Sequence, residues 1–179
     1  MSPAKGTENL LKQVLSEPRR DLSILLDAAA ISCSGQLVDL TTRHGGRIVM
    51  TPHYGEMAKL TGLSEDQISR SPQSITIETA QRFNAIIALK ADETVIVAPD
   101  GAILKYRSDC VGLATGGSGD VLAGVIAGLM ARGASPIVAT GWGVWLHGEA
   151  GRSAASDIGP LGFMARDLVA NIPRLMARA

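Results

Sequence analysis

The chain has 179 residues, with 17 Lys and Arg against 17 Asp and Glu, so its formal net charge is zero. No basic block breaks that balance, which argues against nucleic acid or an anionic membrane surface as a partner. Nothing resembles a charged start followed by an apolar leader, and no apolar run is long enough to span a bilayer. Cys33 and Cys110 have neither metal-ligand spacing nor the look of a disulfide framework. The expectation is a reduced, cytoplasmic protein with one domain over residues 1–179, long enough for a substantial core. Twenty glycines and only 3% aromatic residues suit small-residue helices packed closely over a sheet.

In chain order, Thr7 is placed to cap a first helix reaching Glu17, with Leu10, Leu11, Val14 and Leu15 on one apolar face. Residues 22–26, ending before Asp27, form a short apolar run typical of a buried parallel strand. A second strand covers 47–51 and stops at Pro52, a helix covers 76–85, and a third strand covers 86–90. Segments 94–97 and 102–106 flank Pro99-Asp100-Gly101 and read as a hairpin. A helix from Asp120 to about Arg132 ends at Gly133, and Ser135-Pro136 opens another. The last helix spans 164–176 with Pro173 inside it. Alternation of this kind predicts an α/β fold with a parallel sheet and one antiparallel addition.

The most informative segment is Thr115-Gly116-Gly117-Ser118-Gly119-Asp120, followed at once by an apolar helical run. Gly116, Gly117, Ser118 and Gly119 place backbone N–H groups at a helix N-terminus, where partial positive charge gathers, so the loop suits an anion such as phosphate. Asp120 at the mouth of that loop suits a base that takes a proton from an attacking hydroxyl. Simple capping by Ser118 or Asp120 competes with this reading.

Thr51-Pro52-His53-Tyr54-Gly55-Glu56-Met57 lies where a strand gives way to a helix, the position at which open α/β sheets bind ligands. His53 is a candidate substrate contact there, set against local hydrogen bonding alone. Lys90, at the end of the third strand, is a candidate phosphate contact, set against a solvated lysine. His147 reads as a packing residue or a polar partner inside a helix.

Together, Thr-Pro-His-x-Gly-Glu-Met at 51–57 and Gly-Leu-Ala-Thr-Gly-Gly-Ser-Gly-Asp-Val-Leu-Ala-Gly at 112–124 resemble the ADP-dependent NAD(P)H-hydrate dehydratase family of the ribokinase-like superfamily. The resemblance runs from about Leu22 to the C-terminus. It implies an N-terminally shortened ribokinase-like three-layer α/β sandwich with a mostly parallel sheet and one β-hairpin. It also implies repair of hydrated NADH or NADPH: ADP or ATP, with Mg2+, phosphorylates the substrate hydroxyl, and phosphate then leaves to restore the dihydropyridine. By the same resemblance His53 touches the hydrated nicotinamide nucleotide, Lys90, Ala91, Asp92, Glu93 and Thr94 line the adenine nucleotide beside Gly119, and Asp120 meets the substrate hydroxyl as base. No resident metal site is implied. A ribokinase-like kinase for a small hydroxylated substrate, or a shortened nucleotide-binding remnant with little activity, are the alternatives.

The chain also departs from the family pattern. The resemblance leads to the expectation of further βαβ units ahead of the Leu22 strand in family members, a part that residues 1–21 do not match. Asp27-Ala28-Ala29-Ala30-Ile31 replaces an Asp-Ala-Asp-Ala-Leu run, Ala91 and Glu93 replace glycines, Asp109-Cys110 replaces Gly-Asn, and Tyr54 replaces proline. Asp92 and Glu93 put negative charge near a presumed phosphate, an opposition of roughly 1–4 kcal/mol at close range in a surface-like dielectric. A bare strand edge near 22–26 leads to the expectation of a homo-oligomer.

Overall fold

The computed structural model describes residues 3–178. The chain divides into two compact units that meet between Lys105 and Tyr106. The first unit begins with α1 (Pro3–Ser16), β1 (Ile24–Leu26), α2 (Ala29–Ser34), α3 (Val38–Thr42) and β2 (Ile48–Met50). It continues through α4 (Tyr54–Thr61), α5 (Glu65–Arg70), α6 (Pro72–Phe83), β3 (Ile86–Leu89) and β4 (Glu93–Val97), and β5 (Ile103–Arg107) crosses its end. The sheet order is β1-β2-β3-β4-β5.

The registers Ile24↔Ile48 and Val49↔Ile86 make β1, β2 and β3 a parallel set. Every residue of β2 and β3 is buried, which explains why their sequences are continuous apolar runs rather than alternating ones. The chain then reverses over residues 90–92, so that β4 pairs with β3 antiparallel, with Ile87 opposite Val97. A turn at Pro99-Asp100-Gly101 leads on to β5. There Gly101 has φ 94°, and the Asp100 carboxylate accepts the Ala102 N–H at 3.1 Å. The sheet is therefore mixed and open within an α/β fold, as the sequence predicts, although the first two strands have only three residues each.

Helices of the first unit depart from expectation in ways that have local causes. The helix Pro3–Ser16 contains Thr7 instead of being capped by it. Its apolar face is narrower than predicted: Leu11 and Leu15 are buried, while Leu10 and Val14 stand in solvent. The helix α6 starts at Pro72, four residues before the predicted Thr76, because proline at a first helical position loses no hydrogen bond. Short α2, α3 and α5 left no periodic signal long enough to read.

In the second unit a 3-10 turn (Val111–Ala114) precedes α7 (Ser118–Ala131), α8 (Pro136–Asp157), α9 (Ala165–Val169) and α10 (Ile172–Met176). The close approach of α7 and α8 rests on Gly143, where a Cβ would fall on the Ile126 side chain. The predicted last helix is split in two. Pro173 takes the opening turn of α10, where its missing N–H costs nothing. Glu149 on α8 accepts the Tyr106 hydroxyl at 2.7 Å and pairs with Arg152 at 3.3 Å. Arg152 also donates to the carbonyls of Ser108 and Arg107, both at 2.8 Å, and so ties the approach to the glycine loop down to α8. Burial, and then the hydrogen bond from its hydroxyl to Glu149, push the Tyr106 phenol well above its ordinary value.

The 3-10 turn is itself anchored by Gly112, where an added Cβ would overlap the Phe163 ring and come 2.7 Å from the Pro160 carbonyl oxygen. Backbone cannot yield as a flexible side-chain tip can. Gly112→Ala is therefore expected to lose about 1–3 kcal/mol, the usual cost of overpacking, read as a lowered midpoint in thermal or urea unfolding. An unchanged midpoint would show that the turn is not held in this way.

Candidate active site

At the N-terminus of α7, Gly117 occupies the capping position with φ 86°, a left-handed conformation that glycine adopts without strain, and no side chain caps the helix. Neither Ser118 nor Asp120 serves as the cap. Ser118 is buried, its N–H donates to Thr115 O at 3.2 Å, and its hydroxyl lies 2.8 Å from His147 Nε2. That imidazole nitrogen also lies 3.0 Å from Ser118 O, so His147 is a polar partner that fixes the loop from α8. Among the described residues, the N–H groups of Gly116, Gly117, Gly119 and Asp120 meet no protein acceptor. Gly116, Gly117 and Asp120 are exposed, and space is open around Gly116. Uncapped amides at the positive end of a 14-residue helix form an anion cradle. Asp120, in the first turn, presents its carboxylate beside that cradle.

In the first unit a second cluster forms where the parallel strands end. Asp27, Thr51 and Lys90 directly follow β1, β2 and β3. Lys90 Nζ donates to Asp27 Oδ1 at 3.2 Å and lies 3.8 Å from Glu56 Oε2. The Thr51 hydroxyl donates to the same Asp27 oxygen at 2.7 Å. Lys90 N–H donates to Pro52 O at 2.7 Å, which extends the parallel pairing to a bridge between His53 and Lys90. These side chains are mostly withdrawn from water: 22% exposed for Lys90, 15% for Asp27 and 11% for Glu56. One ammonium thus faces two carboxylates.

His53 caps α4. Its Nδ1 accepts the N–H groups of Gly55 and Glu56 at 3.0 and 3.3 Å, while Glu56 accepts the His53 N–H at 2.9 Å. With Nδ1 taken, Nε2 is the ring nitrogen left for other contacts, at 3.6 Å from Glu56 Oε2 on a side chain 59% exposed. Ala91 and Asp92 make the tight turn into β4, and Glu93 and Thr94 begin that strand. Glu93 pairs with Lys105 at 3.4 Å, so part of its charge is met within the protein. Asp27, Thr51 and Glu56 are the members of this cluster that sequence reasoning did not assign to the site. The signal was available, since each lies one residue past a strand or within the first turn of the following helix.

Among the described residues no three His, Cys, Asp or Glu side chains gather to hold a metal ion, and no helix is long and apolar enough to cross a membrane.

An open mixed sheet and a helix whose bare N-terminus carries an aspartate define a ribokinase-like α/β protein. The solved structures agree. A ribokinase-like superfamily protein from Enterococcus faecalis matches with a TM-score of 0.82 at 26% identity, covering 96% of this chain and 58% of that one. The ADP/ATP-dependent NAD(P)H-hydrate dehydratase from Bacillus subtilis, co-crystallized with ATP/Mg2+, matches with a TM-score of 0.82 at 26% identity, covering 97% of this chain and 60% of that one. The family model described as NAD(P)H-hydrate dehydratase matches residues 3–174, and the chain belongs to that family. An ADP-dependent (S)-NAD(P)H-hydrate dehydratase from Xanthomonas campestris is 34% identical over 99% of this chain; the chain spans 59% of that relative's length.

Asp27 and Lys90 offer a direct test of the strand-end cluster. Lys90→Met leaves two carboxylates side by side in a half-dry site and is expected to cost about 1–3 kcal/mol, below the figure for a fully buried pair because some water remains. A double-mutant cycle of Asp27→Asn with Lys90→Met, read by urea unfolding, should give a coupling of about 1 kcal/mol. Strict additivity would mean that the contact contributes nothing.

Proposed function

We propose that the chain catalyses nucleotide-dependent dehydration of hydrated NADH or NADPH, with ADP or ATP as the phosphoryl donor. The observation that carries this reading is the uncapped N-terminus of α7, with four backbone N–H groups unspent and the Asp120 carboxylate beside them. Membership of the dehydratase family supports it, as does the likeness to a Bacillus subtilis enzyme co-crystallized with ATP/Mg2+. Part of the same proposal is a single domain over residues 1–179; a family match that runs through both compact units supports it.

Asp120 takes the proton of the substrate hydroxyl as its oxygen attacks the terminal phosphorus of the nucleotide, and the bond to the departing AMP or ADP breaks. The amides of Gly116, Gly117, Gly119 and Asp120 stabilise the charge on the transferred group. Phosphate then leaves with the former hydroxyl oxygen, and loss of a ring proton restores the dihydropyridine. Mg2+, carried by the nucleotide phosphates, would supply charge neutralisation; such an ion needs only one or two protein carboxylates. His53 Nε2 contacts the substrate, and residues 90–94 line the nucleotide.

One observation favours a second reading, nucleotide binding with little turnover. Lys90 is already engaged by Asp27 and Glu56, so its charge is largely spent before any phosphate arrives. A two-fold homo-oligomer that covers the outer edge of β1, beside half-exposed Leu22, belongs to either reading. Light scattering that finds a monomer at roughly tens of micromolar, a range where a stable dimer persists, would remove it.

Turnover is tested by supplying hydrated NADPH with ADP or ATP and following the return of dihydronicotinamide absorbance. Asp120→Asn should lower the rate by about two to four decades, the contribution of a positioned base, with nucleotide affinity little changed. Full activity in that variant would take Asp120 out of the mechanism. Tight nucleotide binding without turnover in the unaltered chain would favour the second reading.

A further inference from the structure

The C-terminal half of α8 and the segment around α10 enclose an open cleft of about 370 Å³ lined by Arg152, Ser153, Ser156, Asp157, Arg174 and Arg178, among others. The cleft gathers three guanidinium groups; Arg152 is paired with Glu149 and Asp157 lies in the lining, so three cations against two carboxylates leave a surplus of one positive charge. Arg174 lies on α10 and Arg178 in the turn just beyond it, and both line the cleft, so two like charges are gathered there. Among the described residues neither meets a carboxylate within salt-bridge distance or a hydrogen-bond acceptor. The negative end of α10 offsets part of that repulsion. It does not account for both cations being turned to the same concavity as Arg152. Arg152 differs from the other two in being held in place: Nε and Nη2 donate to Ser108 O and Arg107 O, and Nη1 is ion-paired with Glu149.

We propose that this cleft is a binding site for the phosphate or pyrophosphate group of a small metabolite. Planar guanidinium forks match phosphate oxygens two at a time, and the Ser153 and Ser156 hydroxyls supply uncharged donors beside them. An anion relieves the Arg174–Arg178 repulsion, and the several oxygens of a phosphate engage more than one guanidinium fork at once, which a single carboxylate does not. The site uses none of the residues assigned to catalysis.

Titration of the full chain with inorganic pyrophosphate, followed by amide chemical shifts, tests the assignment. Ser153 and Ser156 should shift saturably. The double variant Arg174→Gln, Arg178→Gln should weaken that response tenfold or more while the amides of Gly116, Gly117 and Gly119 respond as before. Arg174→Lys with Arg178→Lys keeps the charge and removes the forks, and should recover only part of the affinity. If ADP displaces pyrophosphate at Ser153 and Ser156, a nucleotide is the natural source of the group; if it does not, the free anion is, and both results support the site. Absence of a saturable shift at Ser153 and Ser156, or unchanged affinity in the double glutamine variant, overturns the proposal.

Discussion

The bare N-terminus of α7 is the constraint on which the second unit is built. A helix of this length leaves its first amides without partners, and ordinary capping would satisfy them with a serine or aspartate side chain. Here glycine occupies the capping position, Ser118 is drawn away by His147, and Asp120 remains exposed. The surrounding packing keeps that arrangement in place. Gly112 seats the preceding turn against Phe163, and Arg152 ties the incoming chain to α8. Exposed donors at the positive end of a helix are met by water until an anion displaces it, and the helix dipole favours that exchange, which is the physical case for an anion at this end of the helix.

The first unit shows the complementary device, a charge kept out of water by its own partners. Asp27, Thr51 and Lys90 come together because β1, β2 and β3 are parallel and in register, so the residues just past their ends share one edge of the sheet. Lys90 binds back to Asp27 and Glu56, and Glu56 in turn closes the cap of α4 with His53. His53 is therefore a structural cap through Nδ1, with a second nitrogen still available. One residue type serves both purposes because imidazole has two nitrogens on different sides of the ring.

Much of this was legible in the amino-acid order. The apolar runs at 24–26, 48–50 and 86–89 announce buried parallel strands, and Pro99-Asp100-Gly101 announces the turn into β5, since each depends on local chemistry. The glycine loop and its helix were legible for the same reason. What was not legible depends on tertiary pairing. Lys90 looks like a free cation in sequence, and only the strand register brings it to Asp27, 63 residues earlier. Thr7 has the chemistry of a cap, yet the helix runs on to Pro3, because a cap residue competes with helix propagation and does not always win. The nucleotide contacts proposed for 90–94 rest on resemblance to the family pattern, since spacing alone does not suggest them.

A crystal structure of the chain with ADP shows whether nucleotide phosphate sits at the uncapped end of α7. Phosphate oxygens are expected within hydrogen-bond distance of the amide nitrogens of Gly117 and Gly119, with the Asp120 carboxylate facing the terminal phosphorus. Well-ordered ADP bound elsewhere, with those amides still turned to solvent, would contradict it.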